Sequence, residues 1–173
     1  MKQRGTYRLA LAAVLCAQAL ALSFLEGLLP PIPWLPPGAK PGLSNIIIMF
    51  AADSLGLPMA LTIVLIKSGF AFLTRGASAA LMSLAGGVLS AIAMRLLLKY
   101  ARQTFGLIGV SVICALCHNF GQLLAATVLT GTKQVLYYAP MLALFGALTG
   151  VATGVILRAV LPALEKQKRY FDR

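Results

Sequence analysis

Long apolar runs, separated by short polar or glycine- and proline-bearing breaks, follow one another from Tyr7 to Leu161. Runs of this length suit helices that cross a lipid bilayer, and little else accommodates so many in succession. The chain is 60% hydrophobic and 11% charged, with a mean hydropathy of +0.88. A soluble domain is about 45–50% apolar and about 25% charged. The predicted fold is therefore all-α: a polytopic membrane protein with six transmembrane helices in one bundle, a single domain over residues 1–173. The helices are placed at about 7–29, 43–56, 58–74, 78–99, 106–130 and 136–161. Most can cross a hydrocarbon core of about 30 Å at 1.5 Å per residue. The second, at 43–56, reaches only about 21 Å. It is expected to start below the membrane surface, where the preceding loop dips in.

A net charge of +11 raises the question of nucleic acid, but the basic residues sort by loop as membrane topology requires. With the N-terminus inside, Lys2, Arg4, Arg8, Arg95, Lys99, Arg102, Arg158, Lys166, Lys168, Arg169 and Arg173 fall on the cytoplasmic side. Lys40, Lys67, Arg75 and Lys133 remain, so the 15 basic residues divide eleven to four. Both termini are predicted to be cytoplasmic, in a bacterial inner membrane, with lipid as solvent and no nucleic-acid partner. Met1 to Ser23 resembles a signal peptide, but the apolar run continues through Leu29 and reads as a retained first span. Cys114, Cys117 and His118 spell C-x-x-C-H, which also marks haem attachment. Here the string lies within a span, and the cysteines read as small apolar core residues.

Polar residues inside such spans are costly unless they share a hydrated interior: a charge at mid-depth costs roughly 2.5–3.5 kcal/mol on insertion scales. Lys67 sits at mid-depth or slightly outward in the third span. It either snorkels to an interface or faces a cavity, and the strained reach favours the cavity. In the fifth span His118 and Gln122 share a helix face at i, i+4, with Asn119 flanking. These three either contact a ligand or form hydrogen-bonded glue between helices. Asn45 begins the second span and Glu26 ends the first, both on the external side. Glu26 either pairs with Lys40 or Lys67, or binds a cationic group. The external stretch 30–42 holds six prolines and two glycines, which forbid a regular helix. It carries Trp34, the only tryptophan, and reads as a lid over a pocket or as a stiff connector with an interfacial anchor.

Small residues form three stripes of the kind that let membrane helices approach closely. Gly146, Gly150 and Gly154 mark the sixth span, and Ser83, Gly86, Gly87 and Ser90 the fourth. Both suit internal packing. Ala13, Ala17 and Ala21 mark the first span and are available to a partner.

Glu26, the string from Gly38 through Lys40 and Gly42 to Asn45, Lys67-Ser68, and His118-Asn119-Phe120-Gly121-Gln122 resemble the small bacterial Gx transporter family. That family is also labelled heptaprenyl diphosphate synthase component I. The likeness covers nearly the whole chain, and the family in turn resembles the substrate-binding S components of energy-coupling factor transporters. These resemblances imply six helices, capture of a vitamin-like solute under the first external loop, and energising by a T subunit and two ATPase subunits. They imply docking on the T subunit through the stripe Ala13, Ala17, Ala21.

Prenyl diphosphate synthases hold magnesium and diphosphate on aspartate-rich motifs. The two aspartates here, Asp53 and Asp172, lie far apart, and no Walker-type phosphate loop is present. The chain is expected to be no enzyme and to hold no metal or cofactor. The functional expectation is a transporter subunit binding a small, anionic, vitamin- or metabolite-like solute through Lys67, His118, Asn119, Gln122, Asn45, Lys40, Glu26 and Trp34. A non-catalytic accessory role in heptaprenyl diphosphate synthesis is the alternative. A membrane enzyme using His118 as base lacks acids and a nucleophile.

Overall fold

The computed structural model describes residues 2–28, 30, 40, 42–100 and 102–171. The lid expected over 31–39, with Trp34, lies outside the described residues. Among the described residues every regular element is helical. They are α1 (Lys2–Leu28), α2 (Asn45–Ser54), α3 (Leu57–Arg75), α4 (Ala77–Tyr100), α5 (Arg102–Thr130), a short 3-10 helix (Lys133–Tyr138) and α6 (Ala139–Phe171). Five stretches are long and apolar enough to cross a membrane: Gly5–Leu28, Leu57–Arg75, Ala77–Tyr100, Thr104–Thr130 and Lys133–Ala159. The regular part of α5 begins where the sequence placed it, because Gly106 leaves helical geometry at φ +59°.

α2 is shorter than expected, ten residues or about 15 Å. A turn delays its start: the Asn45 N–H donates to the Gly42 carbonyl at 2.9 Å and the Ile46 N–H to that of Leu43 at 3.1 Å. It is apolar almost all round, and such a helix belongs in a core. Ile48, Met49, Phe50, Ala51 and Ala52 are buried. They join Ala12 of α1, Met94 of α4, Val110 of α5 and Leu157 of α6 in one cluster. Ala12 of α1 and Leu157 of α6 therefore belong to one apolar core built around α2. Arg8 of α1 closes the C-terminal end of α2 by donating to the Leu55 carbonyl at 2.8 Å.

Polarity runs inside out relative to a soluble protein. Leu73 is 83% exposed and Val128 81%, whereas Lys67, His118, Asn119 and Gln122 are each 3% exposed. An apolar exterior around a polar interior is the distribution that lipid as solvent demands.

Glycines bring the helix backbones together. A Cβ on Gly121 of α5 would lie 2.7 Å from the Ala85 carbonyl oxygen and 2.8 Å from the Gly86 Cα, both on α4. On α6, a Cβ at Gly150 would meet the Val112 Cα at 2.5 Å and one at Gly154 the Ile108 Cα at 2.7 Å, both on α5. The stripes on the fourth and sixth spans are thus packing surfaces within the bundle. The α1 stripe differs: Ala13, Ala17 and Ala21 are exposed, while Ala12, Leu15, Ala19, Ser23 and Glu26 turn inward.

Backbone atoms cannot yield to a new methyl as a flexible side chain can, so Gly121→Ala should destabilise the bundle by about 1–3 kcal/mol. Gly69→Ala should be neutral or slightly stabilising, since nothing lies within 4 Å of its Cβ position and alanine is the better helix former. Thermal unfolding in mild detergent compares the two; equal midpoints would refute the close α4–α5 contact.

Candidate functional site

The inward stripe of α1 ends on Glu26, and this carboxylate organises the chain that follows. One oxygen accepts the Leu43 N–H; the other accepts the Ser44 hydroxyl at 2.9 Å. Both donors immediately precede α2, so the carboxylate sits at a helix N-terminus, where negative charge is favoured. A second tie comes from α5. The Gln122 side-chain amide accepts from the Lys40 N–H at 3.2 Å and donates to the Lys40 carbonyl at 3.3 Å. Lys40, Leu43 and Ser44 are thereby tied to one group on α1 and one on α5.

The third tie is steric. Gly42 has φ +85°, a left-handed conformation that glycine adopts without strain. Its Cβ position is 3.0 Å from His118 Cδ2 and 3.3 Å from Nε2. On the opposite edge of the ring, a Cβ on Gly86 would sit 2.9 Å from both Cε1 and Nδ1. The imidazole is clasped between two glycines, one before α2 and one on α4.

Beside this clasp lies a cavity. Lys67 and Arg75 of α3 line it, with Glu26, Lys40, Ser83 and Gln122 around them and His118 at one wall. About 20 Å³ is open to the centre of a water-sized sphere, room for one water or two. Arg75 reaches back along α1, its Nη2 3.5 Å from Ser23 Oγ. Lys67, Arg75 and Lys40 all feel the Glu26 charge. At Lys40 partial burial and the neighbouring Arg75 push the ammonium pKa down, while Glu26 pulls it back up. Ser83 Oγ is buried without a hydrogen-bond partner among the described residues, whereas His118 Nδ1 lies on the ring edge that faces the Gly86 backbone.

The residues singled out in the sequence separate into two groups. Glu26, Lys40, Lys67, His118 and Gln122 converge on the cavity. Asn45 turns to α4, donating through Nδ2 to Ser90 Oγ at 2.8 Å. Asn119 turns to α6, donating to the Leu142 carbonyl at 2.7 Å, with Gln122 Nε2 3.5 Å from its Oδ1. Both asparagines tie helices together. The cavity is also compact, whereas pockets for whole small molecules run to about 300–1,000 Å³. A head group enters by displacing water and widening the cavity; a larger body enters only if Lys40 and Gly42 move off Gln122 and His118. Sequence reasoning missed Arg75 and Ser83. Arg75 passes for a loop charge at a helix end and Ser83 for a packing residue. The signal was that the helix bearing Lys67 ends on a second cation with no acidic residue near it in the sequence.

A sequence model of the family described as heptaprenyl diphosphate synthase component I matches residues 15–160. No curated protein and no solved structure matches the chain.

If Glu26 holds the approach to α2, Glu26→Ala should release it. Hydrogen bonds to a charged group contribute about 1.5–3 kcal/mol, so amide exchange at Leu43 should accelerate by roughly 10- to 100-fold. Hydrogen exchange read by mass spectrometry, with α6 amides as internal reference, checks this; unchanged protection at Leu43 would refute the latch.

Proposed function

The chain belongs to the heptaprenyl diphosphate synthase component I family, and we propose that this membrane protein is the solute-binding subunit of a transporter, similar to an S component of energy-coupling factor systems. It captures a small anionic, vitamin- or metabolite-like solute from the external side of a bacterial inner membrane. Six helical segments, with α2 entering only part-way, and two cytoplasmic termini complete the reading. The observation that carries it is a buried cavity in which Lys67, Arg75 and Lys40 face one carboxylate, Glu26. Lys67 is 3% exposed, and no described residue forms a hydrogen bond or ion pair with its amine. Glu26 is the one acid whose charge reaches this amine and it is shared with Arg75 and Lys40, so an anionic ligand supplies further negative charge where burial makes it valuable. His118 and Gln122 orient the ligand's polar atoms, and Lys40 covers it.

Energy then comes from partners: a T subunit and ATPase subunits, docked through the exposed alanines of α1. Ala13, Ala17 and Ala21 leave a shallow strip on which a second helix can lie close.

The family's description favours a second reading, a non-catalytic membrane accessory to polyprenyl diphosphate synthesis. It requires a stable complex with a soluble prenyltransferase and an effect on its product length or activity. Absence of co-purification together with unchanged synthase kinetics would remove it.

Purification in mild detergent followed by mass spectrometry of small molecules should reveal an anionic solute that Lys67→Ala loses. Equal retention by both proteins would count against capture at this site. Ala17→Leu should abolish co-purification with a T subunit while solute binding persists; if both persist, α1 is not the docking face.

A further inference from the structure

We propose that the cavity takes a doubly charged, phosphate-type oxyanion, borne either by a water-soluble phosphate ester or by the diphosphate end of a lipid-like chain. This rests on the anion-capture reading above and narrows the ligand from any anion to a dianion.

Three cations line the cavity against one carboxylate; three positive charges less one negative leaves two. Glu26 is the only acid among the described residues that line the cavity. The chain has four acids in all. Asp53 lies at the end of α2 away from Glu26, and Glu165 and Asp172 fall in the last residues of the sequence. Nor is Glu26 idle, because both its oxygens hold the backbone and hydroxyl that precede α2. A monoanion would leave one positive charge in a low-dielectric interior, whereas a dianion balances the site.

Shape agrees with charge. Arg75 presents a planar fork that matches two oxygens of a phosphate group, and Lys67 acts as a point charge. Ser83, 8% exposed, brings a hydroxyl that no described residue satisfies. A tetrahedral oxyanion has enough oxygens to meet the fork, the ammonium and the hydroxyl together. A carboxylate confines its acceptor sites to one plane, so it meets donors arriving from three sides less well than a tetrahedral group does. The narrowness of the cavity fits a head group whose body lies elsewhere.

Full-length protein in mild detergent, titrated at constant ionic strength with inorganic phosphate, pyrophosphate, a prenyl diphosphate, acetate or chloride, provides the test. Thermal unfolding and calorimetry report binding. Phosphate and pyrophosphate should stabilise the protein saturably, and acetate and chloride should not. Lys67→Met and Arg75→Gln should each weaken phosphate binding by about tenfold or more. Replacing an unpaired buried cation by an isosteric apolar side chain is neutral or stabilising, so Lys67→Met should unfold without ligand at or above the wild-type temperature. Loss of the phosphate effect then cannot be misread as loss of fold. A prenyl diphosphate binding more than about tenfold tighter than pyrophosphate assigns the lipid-like source. Comparable affinities assign the soluble ester, and either result supports the dianion. If acetate works as well as phosphate and both effects vanish in Lys67→Met, the dianion is overturned while anion capture stands. If no anion has a Lys67-dependent effect, both are overturned.

Discussion

Excess positive charge around a single buried carboxylate is the constraint on which the rest of this structure depends. In a low-dielectric interior an unpaired ion is costly, and one partner can serve several neighbours only if it is held in place. Glu26 is held by what it organises. Its oxygens accept from Leu43 and Ser44, which fixes the start of α2 and brings Gly42 against His118. The same carboxylate is the only negative side chain among the described groups lining the cavity with Lys40, Lys67 and Arg75. Fold and site therefore share one residue. Removing its charge both loosens the approach to α2 and leaves three cations facing one another.

Room for this arrangement comes from absent side chains. His118 fits because neither Gly42 nor Gly86 carries a Cβ that would meet its ring. α5 lies close to α4 because Gly121 faces the Ala85 carbonyl, and close to α6 because Gly150 and Gly154 face α5 backbone. Without water there is little hydrophobic force between helices, so van der Waals contact at such close range is what holds them. Asn119 with Leu142 adds a hydrogen bond between α5 and α6, and Asn45 with Ser90 one between α2 and α4. The polar residues nearest the cavity in sequence are thus divided between binding chemistry and assembly.

That division explains how much could be read from the sequence. Helix existence was legible because membrane spans are long and uniformly apolar, and the limits of α3 and α4 fell within a residue of expectation. The short α2 was legible as a length deficit, and Glu26, Lys40, Lys67, His118 and Gln122 as groups too polar for their surroundings. Which way a side chain turns was not. Asn119 and Gln122 are three residues apart on one helix, yet one faces α6 and the other the chain before α2. Only the positions of the neighbouring helices decide between them. Arg75 was hidden for a similar reason: a cation at a helix end looks solvated until α1 is found beside it, with Ser23 at 3.5 Å.

The half-length of α2 bears on how such a protein can work. Because Gly42 reaches His118 in the middle of α5, the cavity occupies one half of the bundle and α2 the other. The half filled by α2 is apolar and closed: Ile48, Met49, Ile63, Val64, Met94 and Val110 are 2% exposed or less. A charged solute bound beside Lys67 would meet a largely apolar core along that route, with the buried Asn45 and Ser90 already bonded to each other, and desolvating it there would be costly. On the proposed reading, the bundle in this conformation holds an anion without conducting it. Passage to the other side needs α2 and the residues before it to move as a unit, away from Glu26 and Gln122, and the sequence contains no nucleotide-binding string to drive that motion. A binding protein that relies on an external engine, docked where α1 exposes its alanines, is the mechanism that this division of the bundle supports.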